Sequence, residues 1–339
     1  MYRLSRASYV GISGFLLLGF SLMLVLFISM WQGALHIPSS LLQLNTIFLS
    51  ILIEALPFVL IGVLIAGVIQ IFVTEDHIRR WLPTSKPAII VMSCVIGALF
   101  PACECGIVPI VRRLVQKGVP LYAGVGFMLT GPLINPIVIA STYMAFGNDL
   151  QMAALRMGIG FLIALLITFA VSMSFDGNQF RFTSAQSVSN AQHHSHGSQQ
   201  KTSSIAVRIK HMLHHSIDEF FDMGKFLIIG AFIAAAVQTF VSAKTLLGMG
   251  TDMASSTLVM MGLAFVLSLC SEADAFIGSS FSHLFGTTPI LAFLIFGPML
   301  DLKNTIMMLS VFRTRFVVCL LALVILTIFT SLMLLNPYI

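Results

Sequence analysis

Pro101-Ala102-Cys103-Glu104-Cys105-Gly106 sets two thiols and a carboxyl side by side in the middle of apolar sequence. Thiolates are soft ligands suited to Cu(I), Zn or thiophilic metalloids, and a carboxylate adds charge and hardness. Two cysteines one residue apart are awkward for an unstrained disulfide, yet both can approach one soft cation. An ionisable residue at membrane depth is costly, so Glu104 marks a functional site by default. Cys270-Ser271-Glu272-Ala273-Asp274 offers a second group of the same kind. If the two groups meet, Glu104, Glu272 and three thiols share one site, and clustered carboxyls suit proton-coupled exchange or cation binding. Gly131-Pro132-Leu133-Ile134-Asn135-Pro136 and Gly297-Pro298-Met299-Leu300-Asp301 interrupt two further apolar stretches, where freed carbonyls and the Asn135 and Asp301 side chains can face a substrate. The candidate substrate-binding residues are therefore Cys103, Glu104, Cys105, Asn135, Cys270, Ser271, Glu272, Asp274 and Asp301, with Cys103, Cys105, Glu104, Cys270 and Glu272 as metal ligands. Each has a plainer reading. Buried Cys behaves as a small hydrophobe, the reading preferred for Cys94 and Cys319. Glu272 and Asp274 can cap a broken helix, and a Gly-Pro can be a packing kink.

These groups need elements to hold them in a bilayer. The chain has 339 residues, 58% hydrophobic and 9% charged, with mean hydropathy +0.98. A soluble domain is nearer 25% charged, so this composition belongs to an all-α polytopic membrane protein. The net charge of +5 reads as a topology signal rather than nucleic-acid affinity, because Lys and Arg sit in short loops. The five cysteines all lie in apolar segments, which excludes a disulfide framework. The 19 methionines are scattered and read as filler. No Walker A pattern supports self-contained ATP-driven transport, and no catalytic residues are assigned.

Stretches long enough to span, or nearly so, are 10–31, 46–73, 88–104, 121–146, 152–174, 218–243, 255–272, 288–309 and 316–336. The first follows Arg3 and Arg6 and reads as an uncleaved anchor. Either 88–104 and 255–272 are ordinary spans, or each is the first arm of a re-entrant hairpin turning at Cys-Glu-Cys and Cys-Ser-Glu. With hairpins and a cytoplasmic N-terminus, 14 of the 18 Lys and Arg fall inside: Arg3, Arg6, Arg79, Arg80, Lys86, Arg112, Arg113, Lys117, Arg181, Lys201, Arg208, Lys210, Arg313 and Arg315. The positive-inside rule favours that arrangement. A repeat agrees with it. Gly62 to Val73 aligns with Gly230 to Val241, and Glu54 with Asp222, at 168 residues; Cys103 aligns with Cys270 at 167, and Gly131-Pro132 and Asn135 with Gly297-Pro298 and Asp301 at 166. Three crossings separate the copies, so the expectation is two inverted repeats whose broken or re-entrant helices meet near the midplane. The divisions are 1–45, an N-terminal anchor and outer loop; 46–174, the first repeat; 175–212, a cytoplasmic linker; and 213–339, the second repeat. Glu54 and Asp222 are repeat-related acids within spans; Lys225, one turn beyond Asp222, can pair with it, and a proton relay is the equal alternative.

The linker is rich in Ser, Gln and Asn and carries His193, His194 and His196, a composition that suits disorder and weak, regulatory metal binding. Taken together, Pro101 to Pro109, Gly131 to Pro136, Cys270 to Phe276 and Gly297-Pro298-Met299 resemble the predicted-permease family that includes the organoarsenical efflux permeases. The resemblance covers about 40–335. It implies a permease of the bacterial inner membrane with no required cofactor. One branch implies trivalent organoarsenical efflux; another implies a separate membrane-bound partner protein and has been associated with metal handling. The expected function is a secondary permease moving a thiophilic metal or metalloid through the central Cys/Glu site, with the metal ion as substrate. Alternatives are a zinc or other transition-metal permease subunit working with a membrane partner, a thiol oxidoreductase using Cys103, Cys105 and Cys270, and a non-transporting scaffold subunit. Partners are the lipid bilayer, a membrane protein and further copies of the chain as a homo-oligomer.

Overall fold

The computed structural model describes residues 39–74, 78, 80, 82–175, 179–180, 205–240 and 252–338, with side chains in 205–240 taken from 212–214 and 216–240. The 10–31 anchor and the histidines at 193, 194 and 196 lie outside these residues. Among these residues twelve α-helices run in order: α1 Ser39–Phe72, α2 Lys86–Leu99, α3 Glu104–Gln116, α4 Leu121–Ile134, α5 Pro136–Ala145, α6 Leu150–Ser174, α7 Ile205–Phe240, α8 Met253–Leu267, α9 Ser271–Ser280, α10 Thr287–Met299, α11 Leu302–Val311 and α12 Thr314–Leu335. The second six follow the first six in kind: a long helix, two short ones, a broken pair and another long one.

Among the described residues, six stretches are long and apolar enough to cross a membrane: α1, α4–α5, α6, residues Met212–Phe240 of α7, α10–α11 and α12 with its short extension. The protein is a multi-pass, all-α membrane protein. By contrast α2 has 14 residues and α8 has 15, or about 21–22 Å each, well under a hydrocarbon core of about 30 Å. Their stretches were read as reaching 104 and 272; the helices stop at Leu99 and Leu267. After α2, Pro101 has no N–H and disfavours helix at Phe100. After α8, Ser268 takes the left-handed conformation, φ 46°, at the C-cap.

The broken spans are interrupted inside the expected stretches, at Asn135 and at Leu300–Asp301, with Pro132 and Pro298 still in the last turns of α4 and α10. Asn135 precedes Pro136, which drives it to extended backbone (ψ 155°), while Pro136 opens α5 where its missing N–H costs nothing. Asn135 Oδ1 accepts from Val138 N at 2.9 Å, and Asp301 Oδ1 accepts from Asn304 N, so each caps the helix it opens.

The α4–α5 and α10–α11 stretches form the inner layer. Their spanning windows are 78% and 83% buried, against 28–44% for the other four. α2, α3 and α6 pack on α4; α8, α9 and α12 pack on α10; α4 and α10 touch each other. Gly126 packs on Ser93 and Cys94, and Gly97 on Phe127 and Thr130; beyond the break, Ile107 packs on Gly131, and Val111 and Val115 on Gly124. The second six repeat the pattern: Phe265 meets Phe296, then Asp274 meets Gly297 and Gly278 meets Leu294. Across the halves α9 packs on α5, α11 on α3, and α1 along α7. α1 and α3 cross with no side chain between them: the Gly106 carbonyl fills the place of a Gly62 Cβ, and a Cβ on Gly106 would lie 2.8 Å from the Phe58 carbonyl oxygen.

The start of the 175–212 segment is docked. Phe180 stacks on Phe312 at 5.5 Å, Phe175 meets Phe316 edge-on, and Arg313 N donates to Gln179 O at 2.9 Å. The segment's other end is already helix, since α7 begins at Ile205.

Candidate functional site

The two breaks at Cys103 and Cys270 deliver their acids to one buried region. Cys103 is the N-cap of α3 and Glu104 its first residue, at 1% exposure. Opposite stands Lys303, one residue into α11, at 4% exposure. Its Nζ lies 3.2 Å from Glu104 Oε1 and 3.5 Å from Asp301 Oδ2, and donates to the Ser268 carbonyl at 3.3 Å. One ammonium thus joins the Cys-Glu-Cys break, the α10–α11 break and the C-terminal end of α8. Removing one partner of a buried ion pair leaves an uncompensated charge, so these three segments are energetically tied.

Asp274 is equally buried, one turn into α9. It reaches the interior because Gly297 has no side chain: a Cβ there would stand 2.7 Å from Asp274 Oδ2. Neither carboxyl oxygen has a hydrogen-bond partner among the described residues. Arg156, Glu104, Asp301 and Lys303 are the charged groups whose fields reach Asp274. Arg156, on α6, spends its donors elsewhere, on Thr142 Oγ1 at 2.6 Å and on the Ser271 carbonyl at 3.1 Å. It thereby ties α5 of the first half to α9 of the second. Glu272 is half-buried beside Arg156 and accepts a long bond from Ser271 Oγ at 3.4 Å.

The predicted residues are only partly brought together. Glu104, Asp274 and Asp301 converge. The thiols divide: Cys103 and Cys105 lie beside each other next to Glu104, whereas Cys270 lies beside Glu54 and Glu272. Among the described residues no three His, Cys, Asp or Glu side chains are grouped to hold a metal ion. The Asn135 side chain is taken up locally, its oxygen as the α5 cap and its amide 3.4 Å from the Gly131 carbonyl. Asp222 and Lys225 pair at 2.8 Å on an exposed face.

Lys303 and Arg156 went unnoticed in the sequence, although the rule that marks Glu104 marks them equally: each is a charge inside an apolar stretch, 288–309 and 152–174. A third missed group lies at the other end of α3. Glu219 of α7 is buried and accepts from Arg113 Nε at 2.9 Å and Nη2 at 2.7 Å, with Arg112 at 3.6 Å.

Residues 40–336 match the profile of a family described as "Predicted permease". The chain is similar to UPF0718 protein YcgR of Bacillus subtilis strain 168, 52% identical over 279 residues, or 82% of this chain and 92% of that one. It is 42% identical over 282 residues to a Streptococcus mutans serotype c protein named "Putative two-component membrane permease complex subunit", covering 83% and 91% of the two chains. UPF0718 protein MJ0584 of Methanocaldococcus jannaschii is 23% identical over 139 residues, covering 40% and 38%. No solved structure matches.

Proposed function

Because the chain belongs to the predicted-permease family, we propose that it is a secondary permease of the bacterial inner membrane, working by alternating access of two inverted repeats around the Glu104–Lys303 cluster. The observation that carries this reading is the Lys303 ammonium held by Glu104, 199 residues away in the chain, with both groups buried where the two halves touch. Buried charge in a membrane protein marks a path for ions or polar substrates. Interrupted helices meeting at such a point are the recurring build of transporters with inverted repeats. The neighbour register supports the hairpins: the chain passes Gly126 and then Phe127 on the way in, turns at Pro101–Cys103, and passes Gly131 and then Gly124 on the way back. The same order holds through Phe296, Gly297 and Leu294 in the second half. Fourteen basic residues on one side support a cytoplasmic N-terminus.

The cargo we propose is a thiophilic metal or metalloid species, taken up by the adjacent Cys103 and Cys105 thiols next to Glu104. The Streptococcus mutans relative is named as a subunit of a two-component permease complex, which supports a membrane-bound partner protein here as well. No cofactor enters the reading. The test is flux of Zn(II), Cu(I) and a trivalent organoarsenical across vesicles holding the chain with and without its partner. One cargo is expected to move, and Cys103→Ser/Cys105→Ser is expected to stop it at unchanged protein level. Unaltered flux in the double variant overturns the cargo assignment, and flux that also survives Glu104→Gln overturns the central site.

A further inference from the structure

The buried cluster is one positive charge short. Glu104, Asp301 and Asp274 are three carboxyls at 1% exposure, and Lys303 and Arg156, at 4% and 2%, are the two cations beside them. Lys303 serves Glu104 and Asp301 together, and Arg156 is bonded to a hydroxyl and a carbonyl, so Asp274 has no ion-pair contact among the described residues. Half-buried Glu272 only deepens the imbalance. The unpartnered atoms lean the same way. Glu104 Oε2, both oxygens of Asp274, Asp301 Oδ2 and Asn304 Oδ1 are acceptors without a hydrogen bond, against two N–H groups, Arg156 Nε and Asn304 Nδ2. Buried acceptors without donors are costly, and an unpaired buried carboxylate more so. The region wants a cation, and it wants oxygen ligands rather than thiols around it.

We propose that Asp274, whose two buried carboxyl oxygens have no partner among the described residues, is the binding site for one small monovalent alkali cation, the coupling ion of the transport cycle. The inference rests on the permease reading and names an ion that reading leaves open. A divalent ion at Asp274 would ask for further anionic side chains on the same point, and among the described residues no three His, Cys, Asp or Glu side chains are grouped in that way. A monovalent ion is satisfied by one carboxylate with amide and carbonyl oxygens, and broken helices supply such oxygens at their C-terminal ends. Here the ends are those of α8 and α10, with the Ser268 carbonyl already directed at Lys303 Nζ. Gly297 is what admits the carboxyl: Asp274 Oδ2 stands where a Gly297 side chain would begin.

The test uses purified full-length chain in detergent at constant ionic strength, choline chloride being exchanged for NaCl or KCl, with thermal unfolding and equilibrium binding of radiolabelled Na⁺ and Rb⁺ as readouts. One of the two cations is expected to raise the melting temperature saturably and to bind at one ion per chain. Asp274→Asn is expected to weaken that binding by about tenfold or more, a loss of about 1.4 kcal/mol. Gly297→Ala should weaken it too, and Asp222→Asn, an acid on the exposed face, should not. The idea is overturned if neither cation binds above choline, in which case a proton balances the cluster. It is equally overturned if Asp274→Asn and Asp222→Asn behave alike. The readout needs no cargo, so ion binding without cargo flux sinks the cargo assignment alone, and cargo flux without ion binding sinks this inference alone.

Discussion

The socket opposite Gly131 and the socket opposite Gly297 occupy matching places in the two halves and hold different side chains. In the first, Ile107 of α3 fills the space a Gly131 side chain would take; in the second, Asp274 of α9 fills the space at Gly297. These residues are 167 apart, the spacing that also relates Cys103 to Cys270. One build therefore carries an apolar plug in one half and a bare carboxyl in the other. The cations are unequal as well. Lys303 sits two residues after the Asp301 cap and points inward, while Ile137, two residues after the Asn135 cap, is exposed. Each half supplies what the other lacks: Glu104 of the first meets Lys303 of the second, and Arg156 of the first reaches α9 of the second. The packing of the two halves is thus matched at the sockets, while the charges set into them are not.

The comparison can be broken at four strengths. Lys303→Met removes the only ion-pair partner of Glu104 among the described residues and is expected to have the largest effect. It should destabilise by about 3–5 kcal/mol and abolish flux, with Glu104→Gln/Lys303→Met recovering stability but not flux, as read from unfolding in mixed detergent. Asp274→Leu makes the second socket resemble the first. Replacing an unpaired buried carboxyl by an apolar side chain of similar shape should stabilise, by about 1–4 kcal/mol by analogy with buried ion pairs, while eliminating the cation response. Arg156→Met cuts the bonds to Thr142 and Ser271 and should cost about 1–2 kcal/mol, with flux reduced. Lys225→Met breaks a pair whose side chains are 54% and 56% exposed, so its effect should stay within about 0.5 kcal/mol and leave flux intact. A Lys225 variant as damaging as the Lys303 variant would mean that burial does not separate the two pairs.

What could be read from the chain beforehand follows the range of the interactions involved. Apolar stretches set the helices, and helix breakers at Pro101 and the thiol-acid clusters set where two of them stop, because those are local effects. Asn135 and Asp301 declared themselves by repeat position, and both prove to cap the helices they open. The stretches Gly131 to Pro136 and Gly297 to Asp301 contained the breaks, and within each the residue at which the chain leaves the helix is set by the cap of the next one. Which acid meets which base was not legible: Glu104 and Lys303 are 199 residues apart, and no periodicity links them. The thiols illustrate the same limit. Counting cysteines put three in one site, whereas the α1 carboxyl of Glu54 stands beside Cys270, away from the Cys103–Cys105 pair.

The span between Glu104 and Lys303 also has a meaning in time. A ribosome adds about 5–20 residues each second, so the 199 residues between the two groups take about 10–40 s to make. Through that interval Glu104 is already synthesised and its counter-charge does not yet exist. α3 has 13 residues, about 20 Å, too short to insert as a span of its own, but α1 has been made by then, and Gly62 is open to Gly106. The nascent chain can thus dock α3 on α1 first and hold its acid at the protein interface until the last third of the polypeptide emerges with the lysine. A chain truncated before residue 303 therefore lacks the ammonium that answers the Glu104 carboxyl.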